Sequence, residues 1–220
     1  MATTVTSILA KAKQILLDAS AVRWTDDELL GWLNEAQRQI VVIKANAYVK
    51  SSAVQLVAGT RQSLPDDGVQ LISVVRNMGF NGNVPGRVVR YVSRETLDAQ
   101  LPTWHSYTAS TAANHYLFSG LDPKHYYVFP PQPAAGMGYV ELVYGAVPPD
   151  ATAGGSISMD DIYMSPMLDW ILYRAFSKDT EFAADQGRSA SHLQAFTTSL
   201  SGKVNAETGV TPELTTTAPG

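Results

Sequence analysis

The 220-residue chain contains no cysteine, which removes disulfides, thiolate zinc sites and thiol nucleophiles together. That suits a reducing cytosol and is compatible with any compartment. Cations are few: 16 Lys and Arg stand against 20 Asp and Glu, a net charge of −4. Tight wrapping of nucleic acid needs clustered Lys and Arg, so this balance argues against it. No apolar run approaches the roughly 20 residues of a bilayer span. The first stretch, MATTVTSILAKAKQILLDAS, lacks the charged-then-apolar layout of a secretory signal, and the expectation is a soluble, untargeted protein. What is present is an apolar share of 45% beside 16% charged residues, the balance of a folded globular chain. The length suits one large domain, or one domain with an insertion.

Periodicity divides the chain. Val5, Ile8, Leu9, Ala12, Ile15 and Leu16 recur at spacings of three and four, which predicts a helix over 5–17. Thr25-Asp26-Asp27-Glu28 reads as a capping box, with Trp24 and Leu29 placed for a hydrophobic staple. The stripe Leu29, Leu33, Ala36, Ile40, Ile43 and Ala47 carries this second helix to about residue 50. From 51 to 147 the period falls to two, and turn residues recur. Candidate strands cover 53–58, 61–64, 69–76, 86–92, 114–119, 125–129 and 138–144. A short helix over 94–101 is capped by Ser93 and stopped by Pro102. The hairpin NHYLFSGLDPKHYYVFP has two apolar faces, Tyr116 and Phe118 on one and Leu117 and Phe129 on the other, and so needs cover on both sides. After a Pro-, Gly- and Ala-containing linker, Ser165-Pro166 reads as N-cap and first residue of a helix to about 178. Phe182, Gln186, Ser189, Leu193, Phe196 and Leu200 mark a last helix over 181–201. The expected fold is α+β: a four-helix bundle-like domain (1–50 and 158–203), an inserted antiparallel β domain between the second and third long helices (51–147), a linker at 148–157, and an extended C-terminal tail over 204–220.

Chemistry-bearing patterns fail one by one. His105, His115 and His125 are ten residues apart, which matches no ligand spacing, and His192 stands alone. The pairs Asp26-Asp27, Asp66-Asp67 and Asp160-Asp161 sit at element boundaries, where aspartate caps helices and closes turns. Gly202-Lys203 is followed by Val204 with no Gly-rich run before it, so the phosphate-loop pattern is absent. No Gly-x-Ser-x-Gly elbow occurs. Arg87, Arg90 and Arg94 lie close in sequence, but Arg87 is out of phase with Arg90 on a strand and the three do not share a face. No catalytic, cofactor-binding or metal residue is assigned, and the expectation is not an enzyme.

The stretch LDWILYRAFSKDTEFA, from 168 to 183, crowds acids, cations and aromatics together. Rotated at about 100° per residue, Leu168, Ile171, Leu172 and Ala175 form a core stripe, while Trp170 and Tyr173 fall opposite, with Arg174 one turn from Trp170. Trp, Tyr and Arg are the types enriched among interface anchors. A glycine inside a helix costs about 1 kcal/mol relative to Ala, and close approach of another backbone is a common reason for keeping one. Gly31, Trp32, Trp170, Tyr173, Arg174 and Phe196 are therefore the expected subunit interface.

The run RWTDDELLGWLNEAQRQIV, then GTRQSLPDDGVQLISVV, then ISMDDIYMSPMLDWILYRAFSKDTEFAADQGRSASHLQAF, in this order over about residues 20–200, resembles the head-to-tail adaptor (connector) proteins of short-tailed bacteriophages. The resemblance implies a helical bundle with an inserted β domain and a dodecameric ring docked between the portal and the tail tube or nozzle. It implies passage of DNA through the lumen during ejection, without specific binding. It further implies no cofactor, no membrane, possible contact with tail fibres, and residence in the virion after assembly in the host cytoplasm. The tail is then expected to hold the portal or a neighbouring subunit through Val210, Pro212 and Leu214. Two other readings are a tail-associated peptidoglycan hydrolase, which needs two facing carboxylates, and a glycan-binding tail module using Tyr107, Tyr126 and Tyr127. On the adaptor reading, Trp170→Ala is expected to weaken ring assembly, measured by mass, more than folding of the single chain, measured by denaturation.

Overall fold

A computed structural model describes residues 3–133, 137–178 and 183–210, with the side chains of 183, 184 and 205–210 left out. In chain order the elements are α1 (Val5–Leu16), α2 (Asp26–Ile43), β1 (Val49–Gln55), β2 (Gly59–Ser63), β3 (Gly68–Asn77), β4 (Arg90–Tyr91), α3 (Arg94–Gln100), β5 (His115–Ser119), β6 (Asp122–Gln132), β7 (Tyr139–Ala146), α4 (Met164–Lys178) and α5 (Ala183–Val210). This is an α+β chain with five helices and two sheets among the described residues. It separates into two compact units, residues 1–44 with 148–220, and residues 45–147. No helix among the described residues is long and apolar enough to cross a membrane.

In the helical unit, the Thr4 side chain caps α1 by accepting from Ser7 N–H, and the helix ends where Leu17 turns left-handed (φ 56°). Val5, Ile8, Leu9, Ala12 and Leu16 are buried, whereas Ile15 lies exposed at the edge of the stripe. The turn into α2 is organised by Asp18, whose carboxylate accepts from the N–H groups of Val22, Arg23 and Trp24 at 2.9–3.0 Å. The Trp24 amide, first among these donors, holds the Asp18 carboxyl below its ordinary range. The capping box of α2 is complete: Glu28 N–H donates to Thr25 Oγ1 at 3.3 Å and Thr25 N–H to Glu28 Oε2 at 3.2 Å. Trp24 and Leu29 on either side are both buried, and Trp24 Nε1 donates to the Ala175 carbonyl of α4 at 3.2 Å. Helix α4 packs against α1, α2 and α5.

Three helix boundaries differ from the sequence expectation. Helix α2 stops at Ile43 rather than near residue 50, because residues 45–47 form a 3-10 turn against β7 and Val49 onward pairs with β7. Strand pairing outweighs a helical period that the sequence still carries. Ser165-Pro166 does not start α4. The cap is Asp160, whose side chain accepts from Ile162 N–H at 3.0 Å and opens a short turn before Met164. The first four N–H groups of a helix lack intrahelical partners, so Pro166 fits as well at its third position as at its first. Helix α5 runs on to Val210, so residues 204–210 are helical rather than extended. That segment lacks an apolar period, and a period-based reading stops where the stripe does. Phe182 and residues 211–220 lie outside the described residues.

The stretch 148–157, read as a linker, is fastened to the helical unit. Asn34 accepts from Ala151 N–H at 2.8 Å and donates to its carbonyl at 3.2 Å, and Arg38 pairs with Asp150. Val5 N–H donates to the Gly155 carbonyl, and Ile157 N–H to that of Thr3.

The β unit stacks an antiparallel sheet, order β1-β7-β3, on a mixed sheet, order β2-β6-β5-β4. Leu71, Val74, Val140, Leu142 and Tyr144 from the first meet Tyr116, Tyr126 and Val128 from the second. The two-faced hairpin is covered on both sides: Tyr116 and Phe118 pack into this core, while Leu117 and Phe129 pack with Leu97 of α3 and Trp104. Trp104 Nε1 is satisfied by Asp98 Oδ1 at 2.8 Å. The predicted strand 86–92 is instead a switching segment. Val89 N–H bonds to Val75 of β3, then Arg90 and Val92 N–H bond to Asn114 and Tyr116 of the other sheet. Buried Asn77 pins the crossing: its Nδ2 donates to the Arg87 and Ala113 carbonyls at 2.9 and 2.8 Å, and its Oδ1 accepts from Ala113 N–H at 2.8 Å.

Two outcomes are expected. Asp18→Ala should lower the urea midpoint near neutral pH. Because the folded-state pKa lies below the unfolded one, this contribution is present above the ordinary aspartate value of 3.8 and is lost as pH falls through the folded value. The gap between wild-type and variant midpoints should therefore close in acid. A Cβ on Gly145 would collide with the Ala45 carbonyl oxygen. Gly145→Ala should thus cost roughly 1–3 kcal/mol in chemical denaturation, the usual range for overpacking.

Candidate interaction site

The second aromatic face of α4 exists, and α5 of the same chain meets it. The Trp170 ring lies 5.2 Å from Tyr173 and 4.9 Å from Phe196. Phe196 is 1% exposed, so within the subunit it acts as core. Trp170 and Tyr173 remain half-buried, and Trp170 Nε1 is buried without a hydrogen-bond partner among the described residues. Polar bonds tie the same two helices together: Ser177 Oγ to Ser189 Oγ at 2.7 Å, Ser189 Oγ to the Tyr173 carbonyl at 3.3 Å, and His192 Nδ1 to Asp169 Oδ1 at 2.9 Å. The His192 ring also stacks on Phe176.

Arg174 leaves this seam for α2, where it pairs with Glu35 at 3.2 Å. Gly31 and Trp32 precede Glu35 by one helical turn, so they lie on the same side of α2. Gly31 is exposed, and an added Cβ would meet nothing within 4 Å. No backbone of this subunit requires its glycine. Trp32 is half-buried. The structure thus brings Trp170, Tyr173 and Phe196 into an internal seam and pairs Arg174 with Glu35, one helical turn beyond Gly31 and Trp32 on α2. Val210 closes α5, and Pro212 and Leu214 lie outside the described residues.

The acidic pairs have structural partners. Asp26 pairs with Lys13, and Asp67 with Lys50 at 2.5 Å. Asp161 accepts from Thr3 N–H and Oγ1, which lowers its carboxyl, and Lys178 beside Glu28 lowers that one likewise. Carboxyls held low are poor general acids. His105 bonds Thr60 Oγ1 at 2.8 Å and His125 bonds Asp122 Oδ1 at 2.7 Å. Among the described residues, no group of three His, Asp or Glu could hold a metal. A cavity of about 410 Å³ beside α1 and α2 is lined by Leu9, Ala10, Lys13, Asp26, Asp27 and Leu30, and one of about 250 Å³ in the β unit by Tyr91, Arg94, Glu95, Phe118 and Tyr127 among others.

One surface expectation needs correction. Tyr126 is fully buried, and burial pushes its phenol well above the ordinary range, so it cannot face a glycan; Tyr107 is exposed and Tyr127 half-buried. Burial, with the nearby charges of Arg87 and Arg90 adding to it, lowers the His115 imidazole, whereas Arg94 turns to Asp98 at 3.4 Å.

A family model described as SU10 adaptor protein matches residues 3–216. No curated protein matches the chain. Because the match takes in both units and every described element, the chain belongs to the SU10 adaptor protein family, structural components of phage particles at the head–tail junction.

Proposed function

We propose that this protein is a ring-forming head-to-tail adaptor of a short-tailed phage, docked between the portal and the tail tube or nozzle. The observation that carries this reading is the family match across residues 3–216. In the virion, twelve copies surround a lumen, with the four long helices acting as a bundle and the β unit contacting the nozzle or the fibres. DNA passes during ejection without specific binding, and a net charge of −4 favours sliding over sticking. The protein assembles in the host cytoplasm, uses no cofactor and performs no catalysis.

Within this reading the contact between neighbours runs through Gly31, Trp32 and Arg174, with the half-buried edges of Trp170 and Tyr173. Gly31 supports it, because its missing side chain is unexplained inside the subunit. Phe196 supports the contact from behind by holding Trp170. The end of α5 at Val210, with Pro212 and Leu214, engages the portal.

Since Trp170 also packs on Phe196, Trp170→Ala should lower folding stability as well as assembly, and Trp32→Ala is the more discriminating variant. Mixing purified protein with its portal should give rings visible by electron microscopy. Trp32→Ala should weaken their formation on the order of tenfold while leaving the thermal midpoint of the subunit nearly unchanged. Absence of rings on the portal, tight and steeply salt-dependent binding of duplex DNA, or release of fragments from peptidoglycan would each overturn the reading.

A further inference from the structure

We propose that β1 is a pairing edge, and that in the free protein the strand seated on it is β1 of a second copy. The parity of the β1–β7 ladder follows from bonds at its two ends. Ala146 N–H donates to the Tyr48 carbonyl and Leu56 N–H to the Gly138 carbonyl, both at 2.9 Å. Between them Lys50 stands opposite Tyr144, Ser52 opposite Leu142 and Val54 opposite Val140. Hydrogen-bonded pairs alternate along an antiparallel ladder, so these even-numbered residues bond β7. Val49, Ser51, Ala53 and Gln55 therefore aim their N–H and C=O groups away from β7. All four are exposed, and no hydrogen bond among the described residues reaches those backbone groups.

Folded proteins usually blunt a strand edge with charge, proline, a bulge, short length or a covering segment. The other edges here follow that rule. The outer side of β3 is covered by residues 87–89. Strand β2 has five residues, an irregular register after Gly59 and the charge of Arg61, and β4 has two residues. Strand β1 has none of these protections. It runs seven residues with no register shift and no proline, and its one charge, Lys50, is tied to Asp67 at 2.5 Å.

The second copy follows from counting edges. With one open edge per copy among the described strands, strand pairing between copies must join β1 to β1 about a two-fold axis, and it closes at two. The outward residues carry no charge, so self-pairing meets no like-charge repulsion. Full overlap of Val49–Gln55 puts the axis at Ser52, with Val49 opposite Gln55 and Ser51 opposite Ala53. Ser52 then faces its own copy in a non-hydrogen-bonded pair with Cα atoms about 4.5 Å apart, within disulfide reach. In the ring proposed above all copies point the same way and this two-fold contact is absent, so pairing marks the unassembled protein.

Sedimentation equilibrium of the full chain at micromolar concentration should give twice the chain mass of 23.7 kDa. Ala53→Pro removes an outward donor that β7 does not use, and should return the mass to one chain with an unchanged circular dichroism spectrum. Ala53→Lys keeps the donor and adds like charge across the axis, and should dissociate the pair most at low salt. In this cysteine-free chain, Ser52→Cys should form a disulfide-linked dimer on mild oxidation, whereas Val54→Cys, opposite Lys50 of the copy, should not. A single-chain mass for the wild type, a two-copy mass that both Ala53 variants retain, or no cross-link through Ser52→Cys would overturn the proposal. A larger ring whose mass the Ala53 variants leave unchanged would also overturn it while leaving the ring reading intact. Failure to form rings on the portal would remove the ring reading and leave the pairing standing.

Discussion

The buried amide of Asn77 is the constraint on which the β unit depends. Its donor and acceptor atoms bind backbone groups at Arg87 and Ala113, at the end of β3 and beside the start of β5. A buried amide left without these bonds would lose the full hydration of its polar atoms, so the three segments are held together or not at all. By fixing where residues 87–92 cross, Asn77 joins the two sheets along β3 and β4. Residues 87–89 thereby cover the outer side of β3. The same crossing sets Arg90 opposite His115 in the pairing of β4 with β5.

The helical unit is held by local polar bonds at its ends and apolar contact between them. The Thr25–Glu28 box, the Asp18 carboxylate and the Asp160 cap each satisfy N–H groups at the start of an element or in a turn. Between these points, α4 carries two faces at once: Ile171, Leu172 and Ala175 are buried on one, and Trp170 with Tyr173 meets Phe196 on the other. A helix with apolar residues on two sides belongs in the middle of a packed unit, and α4 sits there against three others.

Much of this was legible in the sequence because it was local. The Thr25 box, the Ser93 cap and the two-faced hairpin each depend on residues a few positions apart. The reading failed where distant pairing overrode a local signal. The stripe that carries the α2 period to Ala47 is broken by β7, about a hundred residues later, and that error hid the full length of β1. Two aromatic residues on α4 were read as a surface for a neighbouring subunit, and sequence alone could not say that Phe196 of the same chain would meet Trp170. Asn77 had no signal: an asparagine closing a run of Val and Ile reads as an ordinary turn. Residues 204–210 show the opposite failure, since a helix without an apolar stripe leaves no period to detect.

The β unit begins and ends at neighbouring strands. Val49 stands opposite Gly145, and the Tyr48 carbonyl takes the Ala146 amide hydrogen just outside that pair. The entry and exit of the inserted 45–147 segment are thus one hydrogen bond apart. To the helical unit the whole insertion is equivalent to a short closed loop, and the entropy of closing a loop grows only slowly with its length. Loops can therefore be lengthened, or the β unit exchanged for another with adjoining ends, without re-routing α2 or the 148–157 strap. Modular replacement at this point is a route by which one helical unit could carry different β units.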